Sequence, residues 1–217
     1  MGIGEATNVT TEKARLSYVH LFKPYAAMQG QEEKFSVTVL IPKTDVETMA
    51  RINAAIEAAK QKGITEKWNG ACPPIVPTPV YDGDGVRPSD GMPFGEECKG
   101  HWVFTASAKV DYPPEVVDKM GNPIINQSEV YSGMYGRVNV NFFPYSFGGK
   151  KGIGCGLGPV QKLEDGKPCQ GDTYPLHRRS ERHSRHQQHI HKMGEFRSIL
   201  SQDFRCNFLR SRKTPHV

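Results

Sequence analysis

The stretch that most constrains the fold is Tyr135 to Leu163, in which Gly148-Gly149 divides two runs of strand character. A glycine pair between two such runs marks a two-residue hairpin, because the turn needs positive φ at both central residues. Centring the turn there dictates the pairing. Val140, Phe142 and Pro144 face Leu157, Cys155 and Ile153, which makes one side of the ribbon apolar. Asn139, Asn141, Phe143 and Tyr145 face Gly158, Gly156, Gly154 and Gly152 on the other side. Side chains alternate across a strand, so the two sets mix only if the register slips. Phe147 carries the outer row to the turn, where Lys150 and Lys151 follow, and Arg137 stands at its far end.

That outer row admits two roles. An aromatic ring laid over a cross-strand glycine shields the backbone there, which is a structural device. The same rings can instead stack unpaired bases at roughly 1–3 kcal/mol each, with flanking cations on the phosphates. Glycine also lets a strand of nucleic acid lie close to the sheet. The two roles are compatible, since a shielding ring has an outer surface. Arg137, Asn139, Asn141, Phe143, Tyr145, Phe147, Lys150 and Lys151 are therefore the candidate contacts, joined by Lys109 from the polar side of another strand.

Upstream, Lys13 to Lys23 reads as a first strand closed by Pro24, with both faces partly apolar. Lys34 to Ile41 is a cleaner strand, in which Phe35, Val37, Val39 and Ile41 alternate with polar residues. A helix follows. Thr44 and Glu47 match a capping box, and Val46, Met49, Ile52, Ile56 and Ala59 keep helical spacing. Lys60 and Lys62 load the last turn, and Gly63 stands where a left-handed cap belongs. The segment from Trp68 to Gly100 is dense in proline and glycine, which predicts loops and short edge strands. Asp82, Asp84 and Asp90 lack the bidentate Glu of an EF-hand, and their Asp-Gly pairs predict turns rather than a metal loop. His101 to Asp111 is another strand, with Trp102, Phe104, Ala106, Ala108 and Val110 on one face.

Five short strands with one inserted helix and long loops suit a mainly β fold, a five-stranded antiparallel barrel of the OB type. A β-sandwich is the alternative. Residues 1–170 carry 18 Lys and Arg against 19 Asp and Glu, a net −1, whereas 171–217 carry 10 against 4, a net +6. Two domains of chain are expected from this break: a folded body over 1–170 and a basic, His-rich, disordered tail over 171–217. With no global basic field on the body, a nucleic-acid site there has to be local. His183, His186, His189 and His191 in the tail form a His-rich tract, but no cysteine or carboxylate set completes a metal site. Five cysteines without a CxxC suit reduced thiols rather than a disulfide frame. No run reaches the ~18 apolar residues of a membrane span, and the N-terminus lacks the basic-then-apolar order of a secretory signal.

Catalysis is not expected. Gly152 to Gly158 imitates a phosphate loop, but Pro159 and a strand-like segment follow instead of a helix, and no Gly-Lys-Ser/Thr is present. No cofactor or metal is implied.

The blocks 16–24 (LSYVHLFKP), 34–43 (KFSVTVLIPK), 131–145 (YSGMYGRVNVNFFPY) and 148–166 (GGKKGIGCGLGPVQKLEDG) resemble the OB-fold single-stranded DNA-binding proteins of tailed bacteriophages. The resemblance runs from about residue 7 to about 171. It implies a non-enzymatic protein that coats transient single strands during phage replication or recombination, in the cytoplasm of the infected bacterium. The implied partners are single-stranded DNA and phage or host replication and recombination proteins, with a homodimer as one assembly. A virion or head-assembly β-protein using the same face as a protein interface is the alternative. Members of that family end in glycine-rich and then acidic sequence, from which the basic ending here departs. A reading-frame change near Gly171 would account for the departure, and translating the other two frames of the gene tests it.

Overall fold

The computed structural model describes residues 6–26 and 30–169. The expected tail and its histidines lie outside the described residues. Eight strands form one sheet: β1 (Asn8–Thr10), β2 (Ala14–Tyr25), β3 (Lys34–Pro42), β4 (Tyr81–Asp82), β5 (His101–Lys109), β6 (Val116–Val117), β7 (Tyr135–Phe147) and β8 (Lys150–Glu164). The long helix α1 (Val46–Glu66) lies between β3 and β4 in the chain and packs against β7. The five long strands are those expected, and β1, β4 and β6 are short additions along their edges.

The pairings run β2–β3–β5–β8–β7 and return from β7 to β2, so each of the five long strands has two partners among the others. The return contact spans only Ala14↔Gly136 and Arg15↔Tyr135, and β5 meets β8 in parallel through Ser107↔Gly156. Every other contact among the five is antiparallel. Leu16, Val37, Val39, Phe104, Val138, Val140 and Phe142 are buried on the inner side. Phe104 and Phe142 meet there with ring centroids 6.3 Å apart.

Residues Met49, Ile52, Ile56 and Ala59 of α1 are buried against that core as their spacing predicts, but Val46 is 70% exposed. The start of the helix differs from expectation. Asp45, not Thr44, is the cap, and its carboxylate accepts from the Thr48 amide at 3.0 Å. The end differs too. Gly63 is not a left-handed cap but a buried residue inside the helix, which continues to Glu66. The Trp68 ring lies against it so closely that a Cβ on Gly63 would come within 2.7 Å of the ring. Gly63 thus serves close approach rather than termination, a distinction that only the position of Trp68 decides.

In β2 the inward residues are Ala14, Leu16 and Leu21. Tyr18 has φ 47, and the register slips between Ser17↔Thr38 and His20↔Ser36. This bulge shifts the alternation by one residue, which is why both faces of the segment look partly apolar in sequence. Val110 lies past the end of β5 and is 47% exposed, not on the core face. Leu40, on the outward side of β3, is nonetheless fully buried, because Cys98 and Phe94 from the long loop cover it together with Val103.

Candidate nucleic-acid interface

The β7–β8 hairpin turns at Gly148 (φ 57) and Gly149 (φ 77), the two positive dihedrals that a type I′ turn requires. From there back to Val140↔Leu157 the register is the one expected from the turn. Before that it slips by one residue, between Val138 and Val140, so Asn139 and Gly158 meet at a bulge instead of as a direct pair. Val140, Phe142, Pro144, Ile153 and Cys155 are buried. Burial pushes the Cys155 thiol up to about 12.

On the outward side the rings lie on the glycines. A Cβ on Gly154 would come within 2.6 Å of Phe143 Cζ, and one on Gly152 within 2.7 Å of the Tyr145 hydroxyl. Shielding is therefore real, yet Phe143 remains 44% exposed and Phe147 85%. Tyr145 is half-buried, and its carbonyl accepts a hydrogen bond from the Trp68 indole at 3.1 Å.

The other predicted contacts divide into those already engaged and those open. Asn139 donates to Asn8 Oδ1 at 2.7 Å and Thr10 Oγ1 at 3.0 Å, and Asn141 accepts from Thr7 Oγ1 at 2.8 Å. The amide row thus fastens β1 to β7. Arg137 pairs with Glu12 at 3.0 Å, and Lys151 reaches the Trp68 carbonyl at 3.5 Å. Lys150 and Lys109 are exposed and make no ion pair among the described residues.

The outward face continues beyond the hairpin. Register places His20, Ser36, Ser107, Gly156 and Asn141 in one row across β2, β3, β5, β8 and β7. The next row holds Tyr25, Lys34 and Lys109. His20 and Tyr25 stack with centroids 4.5 Å apart and planes 11° from parallel. Lys34 and Lys109 face each other directly, an arrangement that costs stability unless an anion sits nearby. Glu32 supplies part of that, at 3.3 Å from Lys34. Of these residues Lys109 is named from sequence as a candidate contact, and Tyr25, His20 and Lys34 are not. The polar side of the β3 alternation pointed to Lys34, whereas the β2 bulge hid the other two.

The aspartates of the long loop are occupied by a lysine. Lys43 Nζ lies 2.6 Å from Asp82 and 2.7 Å from Asp84, and these hydrogen bonds hold both carboxyls below the usual range. Asp90 pairs with Arg87 at 2.9 Å.

A family model described as "Enterobacter phage Enc34, ssDNA-binding protein" matches residues 7–184. The chain belongs to this family. Among solved structures, the single-stranded DNA-binding protein from bacteriophage Enc34 in complex with ssDNA is similar, with a TM-score of 0.63 and 26% identity. That similarity covers 76% of this chain and 90% of that one. "Putative protein p50" of Acyrthosiphon pisum secondary endosymbiont phage 1 is 28% identical over 169 residues, covering 75% of this chain and 86% of its own length. The single-stranded DNA-binding protein gp2.5 of bacteriophage T7 shares the fold, at TM-score 0.50 and 17% identity over 76% of this chain and 90% of that one. The mainly β architecture with one long helix described above is similar to that of the solved Enc34 protein.

Proposed function

We propose that this protein binds single-stranded DNA without sequence preference, using the outward face of the β7–β8 hairpin and the adjoining face of β3 and β5. The observation that carries the proposal is the pair of exposed rings, Phe143 and Phe147, beside Lys150 on a floor of glycine. Rings accept any base by its π-face, and cations hold the phosphates, so neither selects sequence. Tyr25, Lys34 and Lys109 extend this chemistry onto β2, β3 and β5. Family membership supports the same function, as does the Enc34 relative solved with ssDNA.

The pairing order β2–β3–β5–β8–β7–β2, with β5 and β8 parallel, supports an OB-type barrel. In such a barrel the hairpin that carries Phe147 flanks the face of the second and third strands, here β3 and β5. The body over 1–170 is the DNA-binding domain, and 171–217 is a separate basic appendage that adds salt-sensitive affinity. The role follows the chemistry: a non-catalytic protein that covers transient single strands in phage replication or recombination, inside the infected cell. No helix among the described residues is long and apolar enough to cross a membrane.

The test is a fluorescence titration of the full chain with labelled single- and double-stranded oligonucleotides at two salt concentrations. Preferential binding of oligo(dT) that weakens with salt is expected. Equal affinity for duplex, or none for either, would instead assign the aromatic face to a protein partner, as in a head-assembly protein.

A further inference from the structure

At the end of the hairpin away from its turn, one carboxylate holds two arginines. Glu12, in the turn between β1 and β2, accepts from Arg51 of α1 at 3.3 Å and from Arg137 of β7 at 3.0 Å. Arg51 also donates to Thr48 Oγ1 at 3.2 Å. All three side chains are about half exposed. Two guanidiniums on one carboxylate leave a surplus positive charge and spare N–H donors on both forks.

The surroundings hold charges of both signs. Lys13 lies 4.9 Å from the centroid of the Tyr135 ring and pairs with Glu164 at 2.5 Å. Lys119 is close enough to Glu164 to help hold its carboxyl below the usual range, after the larger effect of Lys13. Tyr135 and Glu164 face each other two residues from Arg137. Glu12 thus has two arginines on it, and Glu164 has Lys13 with the more distant Lys119, beside which stands Asp118, on a body whose net charge over 1–170 is −1. Lys162 and Asp165 nearby neutralise each other at 2.8 Å.

Arg137 shares the outward side of β7 with Phe143, six residues or about 20 Å along the strand. Guanidinium forks converging on one oxyanion suit a phosphate oxygen as well as a carboxylate. We infer that Arg51 and Arg137 form a phosphodiester site at the base of the hairpin, and that Glu12 is the built-in anion with which DNA phosphate competes. The inference rests on the single-stranded DNA reading above. Arg51, on a helix remote in sequence from the hairpin, becomes a binding residue, and Glu12 becomes a brake on affinity.

The experiment measures binding of the full-length chain to fluorescent oligo(dT) across a salt series. The variants are Glu12→Gln, Arg51→Gln, the double variant, Phe143→Ala and Glu96→Gln. Among the described residues Glu96 pairs with Lys99 alone, and it controls for loss of one negative charge. Glu12→Gln is expected to tighten binding about three- to tenfold at low salt, by the worth of exposed charge pairs. It should also steepen the salt slope by about 0.7 for each arginine released to a phosphate. Arg51→Gln should weaken binding alone and reduce the gain in the double variant to the share that Arg137 supplies. Glu12→Gln no tighter than Glu96→Gln, or a gain left undiminished by Arg51→Gln, would overturn the inference and leave a structural ion pair. Failure of the wild type to prefer single strands defeats the underlying function instead. Weakening by Phe143→Ala with no response at Glu12 defeats this site alone. Circular dichroism melts of each variant separate loss of fold from loss of contact.

Discussion

On the inward side of the β7–β8 ribbon Val140, Phe142, Ile153 and Cys155 are buried, whereas Phe143, the next residue after Phe142, is 44% exposed. The two sides share one backbone and one set of ladder hydrogen bonds, so the difference is made by side chains alone. The inward side is constrained by packing, where any lost methylene leaves a cavity. The outward side is constrained by small size, since Gly152 and Gly154 must carry no Cβ for the rings to settle where they do. Stability depends chiefly on the first side, and the proposed function on the second.

The largest test of that contrast is Phe142→Ala, which should cost about 3–5 kcal/mol of stability, read from the urea midpoint. Phe143→Ala, its neighbour, should leave the midpoint nearly unmoved while weakening oligo(dT) binding by about 1–3 kcal/mol. Should the two variants lose similar stability, the contrast between the faces is broken. A smaller effect is expected at the turn: Gly149→Ala should destabilise by about 1–2 kcal/mol, because a Cβ strains the left-handed backbone at φ 77. Lys150→Ala should lower the salt slope of binding by about 0.7 without changing the melting temperature.

The smallest effect lies outside the ribbon, at Lys43, Asp82 and Asp84. Both aspartates titrate below their ordinary 3.8 in the folded protein, so their contribution is present above that pH and is lost as pH falls through the folded values. Lys43 is raised, so its share is lost only as pH climbs through its folded value, above 10.5. Lys43→Gln should therefore flatten the acid limb of a melting-temperature profile slightly. An unchanged limb would show that these exposed pairs contribute nothing measurable.

Much of the hairpin was legible because its determinants are local. A glycine pair sets the turn, and strict alternation from Val140 to Phe147 sets the faces. The helix was legible along its stripe but not at its ends. Asp45 competes with Thr44 for the cap, and Gly63 answers to a tryptophan five residues on. The proposed contacts were legible by type but not by availability. Arg137, Asn139 and Asn141 stand on the outward side as their parity requires, yet Glu12, Thr7, Asn8 and Thr10 already hold them.

By itself, the sequence determined the turn, the two faces of the ribbon and the apolar stripe of the helix. Each of these follows from spacing within one segment and from the periods of strand and helix. Tertiary structure decided which outward groups remain open, through contacts across more than a hundred residues, such as Glu12 to Arg137 and Asn8 to Asn139. It also decided that β2, β3 and β5 continue the face, because strand order and the bulge at Tyr18 depend on partners that no single segment encodes.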